Sequence, residues 1–122
     1  MDAAVSVASS LGKPLVVEEF GLARDNGIQP GSATSQRDTF CTRMCRYLAS
    51  KPDAVAGLNF WAWAGEGRPR DISAKRVIWA PGDPWTGDPP HEPQGWYSVY
   101  AEDAATHAVF AQCARLLQGG NI

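Results

Sequence analysis

No apolar run in this 122-residue chain is long enough to cross a bilayer, and its opening residues lack the basic-then-apolar pattern of a secretory leader. The compartment is therefore not written in these residues. An excess of positive charge is missing too. Eleven Lys and Arg stand against 13 Asp and Glu, a net charge of −2. That leaves neither a basic footprint for nucleic acid nor a polybasic membrane patch, so neither partner is expected. Cysteine is scarce and odd in number: Cys41, Cys45 and Cys113, none in a CxxC or CxxH spacing. Zinc is not expected, nor any other metal or cofactor. The cysteines read as small buried apolar groups, and a disulfide from Cys113 to either of the others stays open.

What is present is an ordinary globular composition, 44% hydrophobic and 20% charged, at the size of one domain. The stretch that organises the rest is Leu15-Val16-Val17-Glu18-Glu19-Phe20-Gly21. A β-prone run after a Gly12-Lys13-Pro14 break reads as a buried strand. Strict alternation puts Val17 and Glu19 on one face and Glu18 on the other. A buried strand that carries a carboxylate at its C-terminal end is how parallel α/β enzymes build active sites. Gly21 is read as the residue that lets the chain turn away sharply.

Along the chain, Asp2 to Leu11 read as a helix end with Gly12 after it. A strand is expected at about residues 14–19 and a helix at about 35–50, capped by Ser32, Thr34 or Ser35. Phe40, Cys41, Met44, Cys45 and Leu48 form its apolar stripe. A second strand at about 55–63 follows, with Asn59, Trp61 and Trp63 on one face. Residues 64–95 form a long loop rich in Gly, Pro, Asp and Trp, with at most a short strand at Arg76–Trp79. A last helix at about 104–118 carries Val109, Phe110, Cys113, Leu116 and Leu117, and Gly119-Gly120 ends it. Trp79, Trp85 and Trp96 lie in or beside the long loop, where they fill a satellite core or make a stacking surface. Strands alternating with helices imply a parallel α/β sheet. Two strands cannot bury both faces of such apolar runs, so strands lie outside this chain or another chain supplies them.

Three segments resemble a known family. Gly12 to Gly21 resembles the seventh strand of clan A (β/α)8-barrel glycoside hydrolases. Asn59-Phe60-Trp61-Ala62-Trp63 is similar to their eighth strand. Pro93-Gln94-Gly95-Trp96-Tyr97-Ser98-Val99-Tyr100 resembles the segment before the last helix in the β-mannanase branch of glycoside hydrolase family 5. The resemblance implies an α/β fold: residues 1–122 as a single partial domain, the C-terminal third of a TIM barrel, with strands 7 and 8 and their flanking helices. It implies Glu19 as the catalytic nucleophile and Trp61 as the indole under the sugar, with Trp63 a weaker choice. Trp85 and Trp96, with Asp83, Asp88 and His91, would supply further subsites or loop structure. Glu18 is an outward carboxylate in this reading, and His107 is structural.

The resemblance also sets an expectation about what the chain does not carry. The family's acid/base glutamate follows an Asn, and no Asn-Glu dipeptide occurs here. A retaining glycosidase needs two carboxyl groups. The chain is therefore expected to be a fragment of a retaining endo-β-1,4-mannanase-like hydrolase, inactive alone. Its partners would be a β-linked polysaccharide or oligosaccharide and the remainder of the barrel, or copies of itself. Secretion or a periplasmic location is implied by resemblance only. Two alternatives stand beside it: a non-catalytic carbohydrate-binding or self-assembling fragment, and a β-1,4-glucanase of the same barrel family.

Overall fold

A computed structural model describes residues 1–119. The elements in order are α1 (Asp2–Ser10), β1 (Leu15–Phe20), α2 (Ser35–Ala49), β2 (Val55–Phe60), β3 (Trp63–Gly65), β4 (Val99–Tyr100) and α3 (Ala104–Leu117). β1 pairs with β2, and β3 with β4, both in parallel. The expected order therefore holds, with two short strands added. The expected strand at Arg76–Trp79 is reduced to an isolated antiparallel bridge between Ile78 and Pro93.

Helix ends follow local chemistry. Gly12 has φ +61 and follows α1, with the Lys13 N–H donating to the Ala8 carbonyl at 3.0 Å, so the glycine closes the helix as expected. Gly119, with φ +80, does the same after α3; Gly120 lies outside the described residues. At the start of α2 the cap is not local. Thr34 Oγ1 donates to Asp38 instead, and Asp25, ten residues earlier, accepts from the Gln36 N–H and from Ser35 Oγ. Those bonds hold the Asp25 carboxyl below its ordinary value, the Ser35 hydroxyl contributing most.

One face of the β1–β2 sheet is covered and the other is bare. Leu58, Phe20 and Phe60 face α3, where Phe60 stacks on Phe110 with centroids 4.0 Å apart. Phe20 packs on Phe40 of α2 at 6.1 Å. On the opposite face Val16 lies over Gly57 and remains 47% exposed. The register also corrects the simple alternation. Val17 pairs with Leu58 and Phe20 with Phe60, so Glu18 and Glu19 together oppose the single residue Asn59. This one-residue bulge breaks the strict alternation between Val17 and Phe20, which pair with Leu58 and Phe60 on the side facing α3.

Two features clamp α2 to α3. Cys45 and Cys113 form a disulfide across a separation of 68 residues, while Cys41 is a free buried thiol whose titration burial pushes up to about 11. The reading of three plain thiols is thus corrected for two of them. α2 and α3 present both apolar stripes to each other, which brings Cys45 and Cys113 within bonding reach. A loop of that length implies about 4 kcal/mol of stabilisation by restricting the unfolded chain.

The second clamp is a buried ion cluster. Asp103 Oδ2 accepts from Arg24 Nη2, from Arg37 Nη2 at 3.1 Å and from the Tyr100 N–H at 2.8 Å. All three charged side chains are almost fully buried. Arg37 also donates to the Ser98 carbonyl and to Thr106, which in turn donates to Asp38. Burial alone raises the Asp103 carboxyl. The hydrogen bonds from Arg24 and the Tyr100 N–H, with the charges of Arg24 and Arg37, outweigh it and hold the group below its ordinary value.

A depressed folded value stabilises the fold above the unfolded aspartate value of about 3.9, and that contribution is lost as pH falls through the folded value. Denaturant unfolding at pH 7 should find Asp103→Asn less stable by about 3–5 kcal/mol, because it leaves two buried guanidinium groups uncompensated. The gap should shrink below about pH 4. A gap that stays constant down to pH 2 would contradict the assignment.

Candidate active site

β1 and β2 run in parallel, so their C-terminal ends meet at one edge. Glu19 lies at the end of β1 and Trp61 directly after β2. The Trp61 N–H donates to the Phe20 carbonyl at 2.7 Å, which locks the two ends together. The Trp61–Ala62 peptide is cis. Glu19 and Trp61 line one open cavity of about 430 Å³, together with Phe20, Gly21, Pro89, Glu92 and Tyr97. Glu18 does not line it, although the bulge removes the alternation argument that had turned that side chain outward.

Gly21 matters here for a different reason from the one expected. Its φ is not positive, so it is not a left-handed turn. A Cβ at this position would stand 2.6 Å from the Trp61 carbonyl oxygen. Glycine lets the ends of β1 and β2 approach closely enough to share one cavity.

The far wall comes from the long loop, and two buried polar side chains shape it. Asp88 accepts from the Gly95 N–H at 2.7 Å, the Tyr97 N–H at 2.8 Å and Ser98 Oγ at 2.5 Å. Gln94 donates through Nε2 to the carbonyls of Pro89 and Glu92 at 2.8 and 3.1 Å, and its Oε1 accepts from Thr86 Oγ1. Asp88 is thus a loop organiser, and it holds the segment that presents Pro89, Glu92 and Tyr97. The sequence reading missed Glu92 and Tyr97. Glu92 lies in the turn between Pro89 and Gly95 and Tyr97 just after it, and no periodicity reaches that segment.

The other tryptophans lie elsewhere. β2 stops at Phe60, so the alternation linking Trp61 to Trp63 does not carry through. Trp63 is 57% exposed, with its ring edge on His107 at 5.5 Å. His107 Nε2 is 2.9 Å from the Tyr100 carbonyl, as suits a structural residue. Trp85 is 65% exposed and stacks on Trp79 at 4.7 Å, and Trp79 donates to the Asp83 carbonyl. Asp83 also pairs with Arg70. Trp96 lines a second cavity. His91 is exposed beside Glu92. Among the described residues no three His, Cys, Asp or Glu side chains cluster as metal ligands would.

The family model for β-mannosidase-like members of glycoside hydrolase family 5 matches residues 1–120. The chain belongs to that family. Solved structures of the Rhizomucor miehei family 5 mannosidase resemble it closely. A glutamate-to-alanine mutant in complex with mannosyl-fructose superposes with a TM-score of 0.78 at 36% identity. A second mutant, with a different glutamate replaced by alanine, and the unmutated enzyme each give 0.75, at 33% and 34%. Each comparison covers 96% of this chain and 30% of the mannosidase chain. None of the curated proteins matches. The family 5 fragment is therefore an incomplete (β/α)8 barrel, which accounts for the bare face of the β1–β2 sheet.

Gly21→Ala should force the ends of β1 and β2 apart and cost about 1–3 kcal/mol of stability. In nuclear magnetic resonance spectra the indole N–H signal of Trp61 should move, while that of Trp63, whose ring rests on His107, stays. Unchanged stability with an unmoved Trp61 signal would show that the close approach is not required.

Proposed function

We propose that the chain supplies the nucleophile and the sugar platform of a retaining hydrolase acting on β-mannosidic bonds in β-1,4-mannan-type oligo- and polysaccharides. The observation that carries this reading is Glu19 and Trp61 sharing one cavity at the C-terminal ends of two parallel strands. That is the face on which (β/α)8 enzymes keep their active sites. β1 and β2 are then strands 7 and 8 of the barrel. The relatives are named mannosidases, and one holds a mannosyl-fructose, which favours a mannosyl unit as the group transferred.

The chemistry follows. An apolar C–H face of the pyranose stacks on the Trp61 indole, and this presents the anomeric carbon to Glu19. The Glu19 carboxylate attacks that carbon while a carboxylic acid protonates the leaving oxygen, giving a glycosyl ester. Water, deprotonated by the same second group, then hydrolyses the ester and frees Glu19. We assign Glu92 and Tyr97 to hydrogen bonds with ring hydroxyls. The acid/base comes from another part of the barrel, so the 122-residue chain does not turn over alone.

The test is a chimera in which this chain replaces the matching segment of the Rhizomucor miehei mannosidase. The chimera should release nitrophenol from 4-nitrophenyl β-mannoside, and Glu19→Gln should lower kcat on the order of 10⁴-fold. The isolated chain should release none. An active Glu19→Gln chimera would remove Glu19 from the mechanism, and turnover by the isolated chain would overturn the claim of a missing acid.

A further inference from the structure

The turn at Asp25-Asn26-Gly27 holds a pair of groups that the fold does not use. We propose that Asn26 is a site of spontaneous covalent modification: its side-chain amide closes on the Gly27 nitrogen, and an aged chain carries aspartate or isoaspartate at this position. The proposal involves no sugar chemistry and stands apart from the reading of the first cavity.

The step needs only water and solvent base. The Gly27 nitrogen gives up its proton and attacks the carbonyl carbon of the Asn26 side chain. A C–N bond forms, the bond to the side-chain nitrogen breaks, and that nitrogen leaves as ammonia after taking a proton from water. Water then opens the resulting succinimide ring at either carbonyl. One opening leaves an ordinary aspartate. The other routes the backbone through the former side chain and leaves isoaspartate. Nothing is oxidised or reduced.

Three observations single out Asn26. Gly27 has no Cβ, so no side chain shields the attacking nitrogen. Both residues are exposed and lie outside every helix and strand, where the backbone has most freedom to bring the two groups together. Neither the Gly27 N–H nor the Asn26 amide has a hydrogen-bond partner among the described residues, so no bond has to break first. Asn59 supplies the contrast. It lies in β2, where pairing with β1 fixes the backbone, and the next residue is Phe60, whose ring is stacked on Phe110.

The turn is a short exposed step between two fixed points. The Asp25 N–H donates to the Ala33 carbonyl at 2.9 Å, and the Asp25 carboxylate accepts from Ser35 Oγ and the Gln36 N–H at the start of α2. On the other side Ile28 is fully buried, and its carbonyl accepts from the Tyr100 hydroxyl. An isoaspartyl link lengthens the backbone between those points. Either product also adds a carboxylate next to Asp25. A like charge alongside raises the Asp25 carboxyl and weakens its hold on α2. The new charge stands in the second cavity, of about 440 Å³, which Asn26 lines together with Asp25 and Lys75.

The test is incubation of the purified 122-residue chain at 37 °C, at pH 6 and at pH 8.5, followed by trypsin digestion and mass spectrometry. Cleavage after Arg24 and Arg37 isolates a peptide, Asp25–Arg37, whose sole asparagine is Asn26. That peptide should gain the mass of an amide-to-acid exchange and yield fragments diagnostic of isoaspartate. The gain should be faster at the higher pH, because the attacking nitrogen must lose its proton. The peptide that carries Asn59 should stay unchanged over the same period, and Asn26→Gln should remove the gain. An unchanged Asp25–Arg37 segment in the folded chain, under conditions where the same peptide made synthetically converts, would show that the turn holds the two groups apart and would overturn the proposal. Equal conversion at Asn59, or an undiminished gain in Asn26→Gln, would overturn it as well.

Discussion

The carboxylate of Asp103 is almost fully buried, and a buried charge has to be met by partners brought to it. Arg24 arrives from the loop after β1, Arg37 from α2, and the Tyr100 N–H from the end of β4. Satisfying one side chain therefore fixes the loop after β1 and α2, both distant in sequence, against the turn between β4 and α3. Tyr100 extends the fixed region. Its ring lies between the Arg24 and Arg68 guanidinium groups at 4.6 and 4.8 Å, and its hydroxyl donates to the Ile28 carbonyl. Burial pushes that hydroxyl up to about 12, so it stays protonated and keeps donating.

From that cluster the walls of both cavities follow. Arg24, held by Asp103, holds Trp96 through its own N–H, and Asp88 holds Tyr97 and Gly95 on the next stretch of loop. The strand ends contribute the other wall, joined by the bond from Trp61 to Phe20 and permitted by Gly21. The chain thus carries a finished half of a cleft on an unfinished sheet. α2 and α3 are closed against each other by the disulfide and the ion cluster, whereas Val16, Gly57 and Asn59 face outward for want of further strands. A parallel sheet is normally buried on both faces. The same incompleteness explains why the apolar residues of α3 are only half-buried around a cavity of about 210 Å³.

Much of this was legible in the sequence. The helices and β1 were read within about one residue because their apolar spacing and glycine stops are local signals, whereas the second strand, read to residue 63, ends at Phe60. The incomplete sheet followed from counting strands, and Glu19 with Trp61 from the motifs that carry the resemblance. What escaped was set by tertiary contact. Arg37 sits within the α2 stripe with no mark to distinguish it from a surface cation, because its partner is 66 residues away. Asp25 caps a helix that begins ten residues later. The pairing of Cys45 rather than Cys41 with Cys113 depends on how α2 rolls against α3. The bulge opposite Asn59 overrode strict alternation, and Gly21 was needed for a close approach rather than for a turn. Trp79, Trp85 and Trp96 looked alike in sequence, yet Trp79 and Trp85 stack on each other while Trp96 lines a separate cavity.

The most direct test of the central claim is covalent trapping. The chimeric mannosidase carrying this chain would be inactivated with a 2-deoxy-2-fluoro-β-mannosyl fluoride, digested, and its peptides mapped by mass spectrometry. Such a reagent arrests a retaining enzyme at its glycosyl ester. The account predicts a single fluoromannosyl adduct on Glu19. An adduct on Glu18 or Glu92, or none on this chain, would contradict it.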